Sequence, residues 1–201
     1  SYTVPDSVTV IENSAFYYCT GLHSITIPDS VTEIGDDAFN QCGLREMTLP
    51  AGLTRIGENL FWSNFDLTRV TIPEGVVSIG SYAFTNCDRL SDLRLPGGLE
   101  TIGEYAFSGC CSLQGVVLPA GMKTVGPYAF NDCQALEVVI SGGDTAIDAA
   151  AFSGCAVLTV YYGGSDEQWT GWLTIYSQDG WHPLAGCPGD HRLCRGQPER
   201  T

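Results

Sequence analysis

Charge is scarce in this chain, and positive charge scarcest. Only 16% of the 201 residues are charged, and nine Lys and Arg face 23 Asp and Glu, a formal net charge of −14. That deficit argues against nucleic acid as a partner, because phosphate recognition needs basic patches. It argues equally against electrostatic attraction to an anionic membrane surface. No run of about 18 apolar residues exists, so no membrane span is expected. The first residues lack a charged region followed by an apolar stretch, so no signal peptide is read in the chain. Catalytic groups are also thin: His23 stands alone in residues 1–162, and His182 and His191 lie near the C-terminus. No nucleophile elbow, phosphate loop or metal-protease motif occurs, so no enzyme and no cofactor are expected. Hydrophobic residues are plentiful at 44%, enough to bury a core.

The apolar residues recur with a fixed period. Phe16, Phe39, Phe61, Phe84, Phe107, Phe130 and Phe152 are spaced 23, 22, 23, 23, 23 and 22 residues apart and include seven of the eight Phe. Ala precedes each of them except Phe61, which follows Leu60. Three residues later comes Cys19, Cys42, Cys87, Cys110, Cys133 or Cys155, with Asn64 in the third repeat. Pro5, Pro28, Pro50, Pro73, Pro96 and Pro119 close a strand-like run. Gly35, Gly57, Gly80, Gly103 and Gly126 each follow Ile or Val, four residues before the Phe.

One repeat reads mechanically. "LHSITIP" at 22–28 alternates apolar and polar residues, as a half-buried strand does. Pro28 ends it, since Pro lacks the N–H a central strand needs. Turn-forming residues follow, then Val31 and Ile34 point inward, and Gly35 permits a sharp change of direction. "DDAF" is too short for an isolated helix and is expected to form one helical or 3₁₀ turn held by packing. One such unit cannot bury its apolar side alone, but stacked units can, as a solenoid.

The recurring "IG..AF..C..L..I.IP" resembles the BspA-like leucine-rich repeats of bacterial surface proteins, over about residues 2–162. The resemblance implies an α/β leucine-rich-repeat solenoid, right-handed and curved, with strands on its concave side. It is expected to be strand-dominated, with very short helical turns and seven repeats of 22–23 residues. It further implies a secreted or wall-attached protein of a host-associated microbe, adhesin-like, non-enzymatic, recognising a host protein or a glycan. The competing reading is a structural spacer that presents another domain at the cell surface. A monomer is expected.

The expected division is 1–162 solenoid and 163–201 C-terminal cap and tail. "SDEQWTGW" at 165–172 reads as a capping helix, with Trp169, Trp172 and Trp181 over the open end of the core. Beyond about residue 185 the tail is polar and rich in Gly and Pro. His182, Cys187, His191 and Cys194 are zinc-ligand types, but their spacing matches no common finger. A Cys187–Cys194 disulfide or an unpaired tail are the alternatives, and no metal site is assigned.

The six in-register cysteines read as a buried thiol ladder, small apolar packing beside the Phe spine. Cys111 follows Cys110 and should face solvent. Asn64 suits a position where an amide bonds the backbone of the next turn.

Solenoids bind on extended concave surfaces, so candidate ligand-binding residues come from the outward strand positions. One column is read as Ser24, Glu46, Arg69, Asp92, Gly115, Val138, Val160 and the other as Thr26, Thr48, Thr71, Arg94, Val117, Ile140, Tyr162. The binding candidates are Glu46, Arg69, Asp92, Arg94, Val117, Ile140 and Tyr162, across a change from charged to apolar character. The apolar part is either a binding patch or a surface covered by the tail. A second stripe, Tyr82, Tyr105 and Tyr128, either meets a sugar or protein or is an internal aromatic ladder.

Overall fold

A computed structural model describes residues 1–140, 145–155, 157–162 and 194–196. Two strands form per repeat. The first series is Tyr2–Thr3 (β1), Ile25–Thr26 (β3), Glu46–Thr48 (β5), Arg69–Thr71 (β7), Asp92–Leu93 (β9), Gly115–Leu118 (β11), Ala135–Ile140 (β13) and Val157–Tyr162 (β15). The second is Val10–Ile11 (β2), Glu33–Ile34 (β4), Arg55–Ile56 (β6), Ser78–Ile79 (β8), Thr101–Ile102 (β10), Thr124–Val125 (β12) and Ala146–Ile147 (β14). Within each series strands pair in parallel with the equivalent strand of the next coil, in segments such as β5-β7-β9 and β6-β8-β10-β12-β14. Cys194–Gly196 (β16) pairs antiparallel with β15. The rest of the expected cap, including the three Trp, His182, Cys187 and His191, lies outside the described residues.

The result is a strand-dominated parallel solenoid. The seven Phe rings form one continuous stack, with six successive centroid distances between 5.1 and 5.9 Å, so the described chain winds through about six turns. From Phe39 to Phe130 the rings are fully buried, with Ile34, Leu44, Ile56, Leu67 and Ile79 in the same core.

The expected helical turn is not there: among the described residues no helix forms. Left-handed residues prevent it. One sits two positions before each Phe from Phe16 to Phe130 and another two positions after each of the seven, as at Asp37 and Gln41 around Phe39, or Tyr82 and Asn86 around Phe84. A helix cannot pass through such residues. Their backbone bonds instead to the next coil, Tyr82, Phe84 and Asn86 donating N–H to the carbonyls of Glu104, Ala106 and Ser108 at 2.9, 2.7 and 2.8 Å. The turn is thus a third inter-coil ladder.

The repeated Gly also has a different cause from the expected change of direction. Gly35, Gly57, Gly80, Gly103 and Gly126 all have negative φ, but each backbone lies against the preceding coil. A Cβ on Gly80 would lie 2.9 Å from the Glu58 nitrogen, and one on Gly103 would lie 2.6 Å from the Ser81 nitrogen. No real Cβ approaches backbone so closely, so only Gly fits where coils stack.

Candidate functional site

The outward face of the first strand series is built by alternation. In β5 and β7 the middle residues Met47 and Val70 are buried, while Glu46, Thr48, Arg69 and Thr71 are exposed. Register aligns Glu46 with Arg69 and Arg69 with Asp92. The Arg69 Nε donates to Asp92 Oδ2 at 2.6 Å across neighbouring coils. Both side chains are about half exposed, so the pair adds at most about 1 kcal/mol and mainly fixes side-chain orientation. Arg94 is exposed and, among the described residues, forms no ion pair. Val117 is 58% exposed, an apolar side chain on an otherwise polar face. Glu46, Arg69, Asp92, Arg94 and Val117 therefore share one surface.

Ile140 and Tyr162 fall in the other strand register. β11 and β13 are offset by 22 residues, so Gly115 aligns with Glu137, Val117 with Val139, and Ile140 with the fully buried Leu118. Tyr162 continues the register of Ile140, and Val138 that of the buried Val116. Counting 23 residues into this coil slips the register by one, which exchanges the two faces of a strand. The expected apolar column of Val138, Ile140 and Val160 thus shares the register of the core, and Glu137, which is exposed, belongs to the outward one.

Tyr82, Tyr105 and Tyr128 stack in order, with centroids 5.2 and 4.8 Å apart and rings within 13° of parallel. All three are half-buried and left-handed. Burial, and then the neighbouring Tyr128, Tyr82 and Glu104, raises the Tyr105 phenol above its usual pKa. The faces of the middle ring are spent on its neighbours, which leaves a ligand its edge. Four other aromatics, which periodicity does not single out, are exposed on the turns of the first three coils: Tyr17, Tyr18, Trp62 and Phe65. The signal was present in the sequence, since in later coils the corresponding positions carry Thr85, Asn86, Asp88, Ser108, Gly109 and Cys111.

The thiol column is not merely apolar filling. The Sγ atoms of Cys42, Cys87, Cys110, Cys133 and Cys155 donate to the carbonyls of Phe16, Phe61, Phe84, Phe107 and Phe130 in the preceding coil, at 3.0, 3.2, 3.2, 3.4 and 3.2 Å. Asn64 does the same with an amide: its Nδ2 reaches Phe39 O at 2.8 Å and Phe61 O at 2.9 Å, so it serves its own and the previous coil rather than the next. Burial pushes the Cys42 thiol to about 11 and Cys155 to about 12, with Cys87, Cys110 and Cys133 also well above the ordinary value. Such thiols are inert at neutral pH. Cys19, at the first coil, is exposed and departs from the buried column, as does Cys111, which faces solvent as expected. Among the described residues no group of three or more His, Cys, Asp and Glu is arranged to hold a metal, and no helix is long and apolar enough to cross a membrane.

With this geometry in place, the comparisons are specific. The sequence pattern of the BspA type leucine-rich repeat region matches in six copies over residues 1–87 and 61–169. The chain belongs to this family. A leucine-rich repeat protein from Bacteroides ovatus is 27% identical, with a TM-score of 0.61, over 81% of this chain and 49% of its own. The Treponema pallidum leucine-rich repeat protein is 28% identical, with a TM-score of 0.53, over 69% of this chain and 57% of its own. A leucine-rich cell surface protein from Faecalibacterium prausnitzii is 28% identical over 84% of this chain and 61% of its own, with a TM-score of 0.47. No curated protein matches the chain. The chain thus spans about half to three-fifths of the length of these solved leucine-rich proteins.

Proposed function

We propose that this BspA-type chain is a non-enzymatic binding module displayed at a cell surface, adhesin-like, which takes a host protein or a glycan on its strand face. The observation that carries the reading is the meeting of an oriented Arg69–Asp92 pair, an Arg94 without an ion pair among the described residues and an exposed Val117 on one surface. Arg beside an apolar patch is a combination enriched in binding hot spots. The net charge of −14 selects a basic or neutral partner and makes steered association weaken with salt. Surface location rests on family membership. Right-handed winding, a concave strand face, seven repeats and a monomeric state belong to the same reading.

The test is binding to an array of matrix proteins and glycans, repeated with Arg94→Ala plus Val117→Ser. Loss of about tenfold or more in affinity for an identified ligand is expected, as for hot-spot truncation. Unchanged affinity removes the strand face as the site. The spacer reading has one observation in its favour, that the chain covers only about half of the Bacteroides ovatus relative. A spacer needs no ligand, so an array empty at every spot decides for it.

A further inference from the structure

We propose that the turn face of the first three coils is a second binding site, a platform for a neutral carbohydrate made by Tyr17, Tyr18, Trp62 and Phe65 around Gln41. This surface is distinct from the strand face and is reached from a different side of the coil. The four aromatic residues are 49%, 63%, 37% and 56% exposed. Tyr18 N–H donates to Asn40 O, and Gln41 N–H to Trp62 O, both at 2.8 Å, which fixes the group on consecutive coils. Tyr17 and Trp62 occupy the same position after the Phe two coils apart, roughly 10 Å at ordinary strand spacing. Tyr17 and Tyr18 lie 6.3 Å apart with their rings 34° from parallel, and the Gln41 amide nitrogen is 3.5 Å from the Tyr17 hydroxyl.

Tyr18 stands out at its position by its side chain. The equivalent residues Gln41, Ser63, Asn86, Gly109, Asp132 and Gly154 are left-handed as well, those from Gln41 to Asp132 held by the same inter-coil ladder, but none is aromatic. Tyr82, Tyr105 and Tyr128, left-handed on the other side of the Phe, stack on one another. Tyr18 is 63% exposed, so its ring is open to a ligand. A second observation agrees. The two buried acceptors that lack a hydrogen-bond partner among the described residues are Asn40 Oδ1 and Asn64 Oδ1. Asn40 holds the position between Tyr17 and Trp62 in the column, whereas Asn64 belongs to the buried Cys column. Buried acceptors are rarely left unpaired, and water ordered over Asn40 by a polar occupant would supply the missing donor.

The chemistry selects a sugar, and a neutral one. A pyranose ring offers a C–H face to an aromatic ring and hydroxyls to amides and hydroxyls, and Gln41, Ser63 and Thr20 flank the rings. Among the described residues neither Trp62 nor Phe65 stacks on another ring, unlike the closed tyrosine ladder. The charges nearby are Asp37, whose oxygens accept from Asn40 and Asn59, and Asp66, paired with Arg89 at 2.9 Å. Arg89 is committed to Asp66, and a net charge of −14 disfavours a sulfate or sialic carboxylate.

The experiment is affinity electrophoresis of the whole chain through native gels containing mannan, galactan or β-glucan, with heparin as the anionic control. Retardation by at least one neutral polysaccharide is expected, abolished by Trp62→Ala and by Tyr18→Ala and kept by Glu33→Ala, an exposed position in the second strand series. Both substituted residues are exposed, and an unchanged thermal midpoint checks that the fold survives; Trp62→Phe, which keeps a ring, should retain part of the retardation. Migration unaffected by all three neutral polysaccharides, retardation by heparin alone, or retardation that persists in both Ala variants overturns the proposal.

Discussion

The thiol of Cys87 donates to the carbonyl oxygen of Phe61, one coil earlier, at 3.2 Å. The same Phe61 oxygen accepts the amide of Asn64. Cys and Asn are therefore alternative donors to one buried carbonyl position, and the cysteine spacing reflects a hydrogen bond as much as a volume. Asn64 carries a surplus, because its Oδ1 is buried without a partner. Asn64→Cys should keep the donor and remove the orphan acceptor, leaving stability unchanged or raised by about 1 kcal/mol. Asn64→Ala should cost about 1–3 kcal/mol by leaving the buried Phe39 carbonyl without the Asn64 amide. Denaturant midpoints of the two variants decide, and a Cys variant as unstable as the Ala variant would refute the equivalence.

Alkylation under native conditions should modify Cys19 and Cys111, the exposed thiols, well before Cys87, Cys110, Cys133 and Cys155, because the thiolate is the reactive form. Peptide mass mapping reads the order. Equal labelling of buried and exposed cysteines would exclude the closed column.

The same burial predicts alkaline sensitivity. An unfolded thiol ionises near its ordinary value of 9.0, whereas Cys42 and Cys155 are held to about 11 and 12 in the fold. Above pH 9 the unfolded chain therefore binds fewer protons than the folded one, and stability falls as pH rises. Thermal midpoints should be insensitive to these thiols below pH 8 and decline from pH 9 upward. Substituting Asn at Cys155 should flatten part of that decline.

Gly80→Ala should destabilise by about 1–3 kcal/mol, the usual cost of overpacking, because its Cβ would enter the backbone of the preceding coil. Gly97→Ala, where nothing lies within 4 Å, should be close to neutral. Similar midpoints for both would mean that the coils can separate at no cost.

Phe84→Ala should cost about 3–5 kcal/mol, since the ring is fully buried between Phe61 and Phe107. Thr85 is no surface control beside it, because it is buried and its hydroxyl donates to Tyr105 O at 2.5 Å. Glu33→Ala, on an exposed strand position, serves instead.

The spine was legible because seven Phe keep one period, and the stack follows from it directly. The second strand series was not, because pairs such as Glu33–Ile34 are too short to show alternation. The helical expectation failed for a similar reason: nothing in "DDAF" announces that Asp37 adopts φ 59°, a choice made by the inter-coil hydrogen bonds. Of the candidate site, Glu46 to Val117 were readable by counting. Ile140 and Tyr162 were lost to a single missing residue, to which a period-two pattern is acutely sensitive. Tyr18 and Trp62 carry no periodic signal, because the equivalent positions in later coils hold Asn86, Gly109, Thr85 and Ser108.

The turn ladder has an electrical direction of its own, opposed to that of bonds such as Gly80 N–H to Ile56 O and Glu100 N–H to Val77 O, which run to the preceding coil. In parallel strands the peptide dipoles alternate and nearly cancel. In the turns they do not: from Ser14 to Asp132 every inter-coil N–H of the left-handed residues and the Phe spine points to the following coil, and every accepting carbonyl points back. Several peptide units per coil are thus aligned along the axis, as in a helix but with the opposite sense, the amide-positive end lying toward the C-terminus. Along the turns a further coil can therefore continue the ladder only head to tail. An abutting coil in the reversed orientation would set like groups against each other there, carbonyl to carbonyl at one end and N–H to N–H at the other.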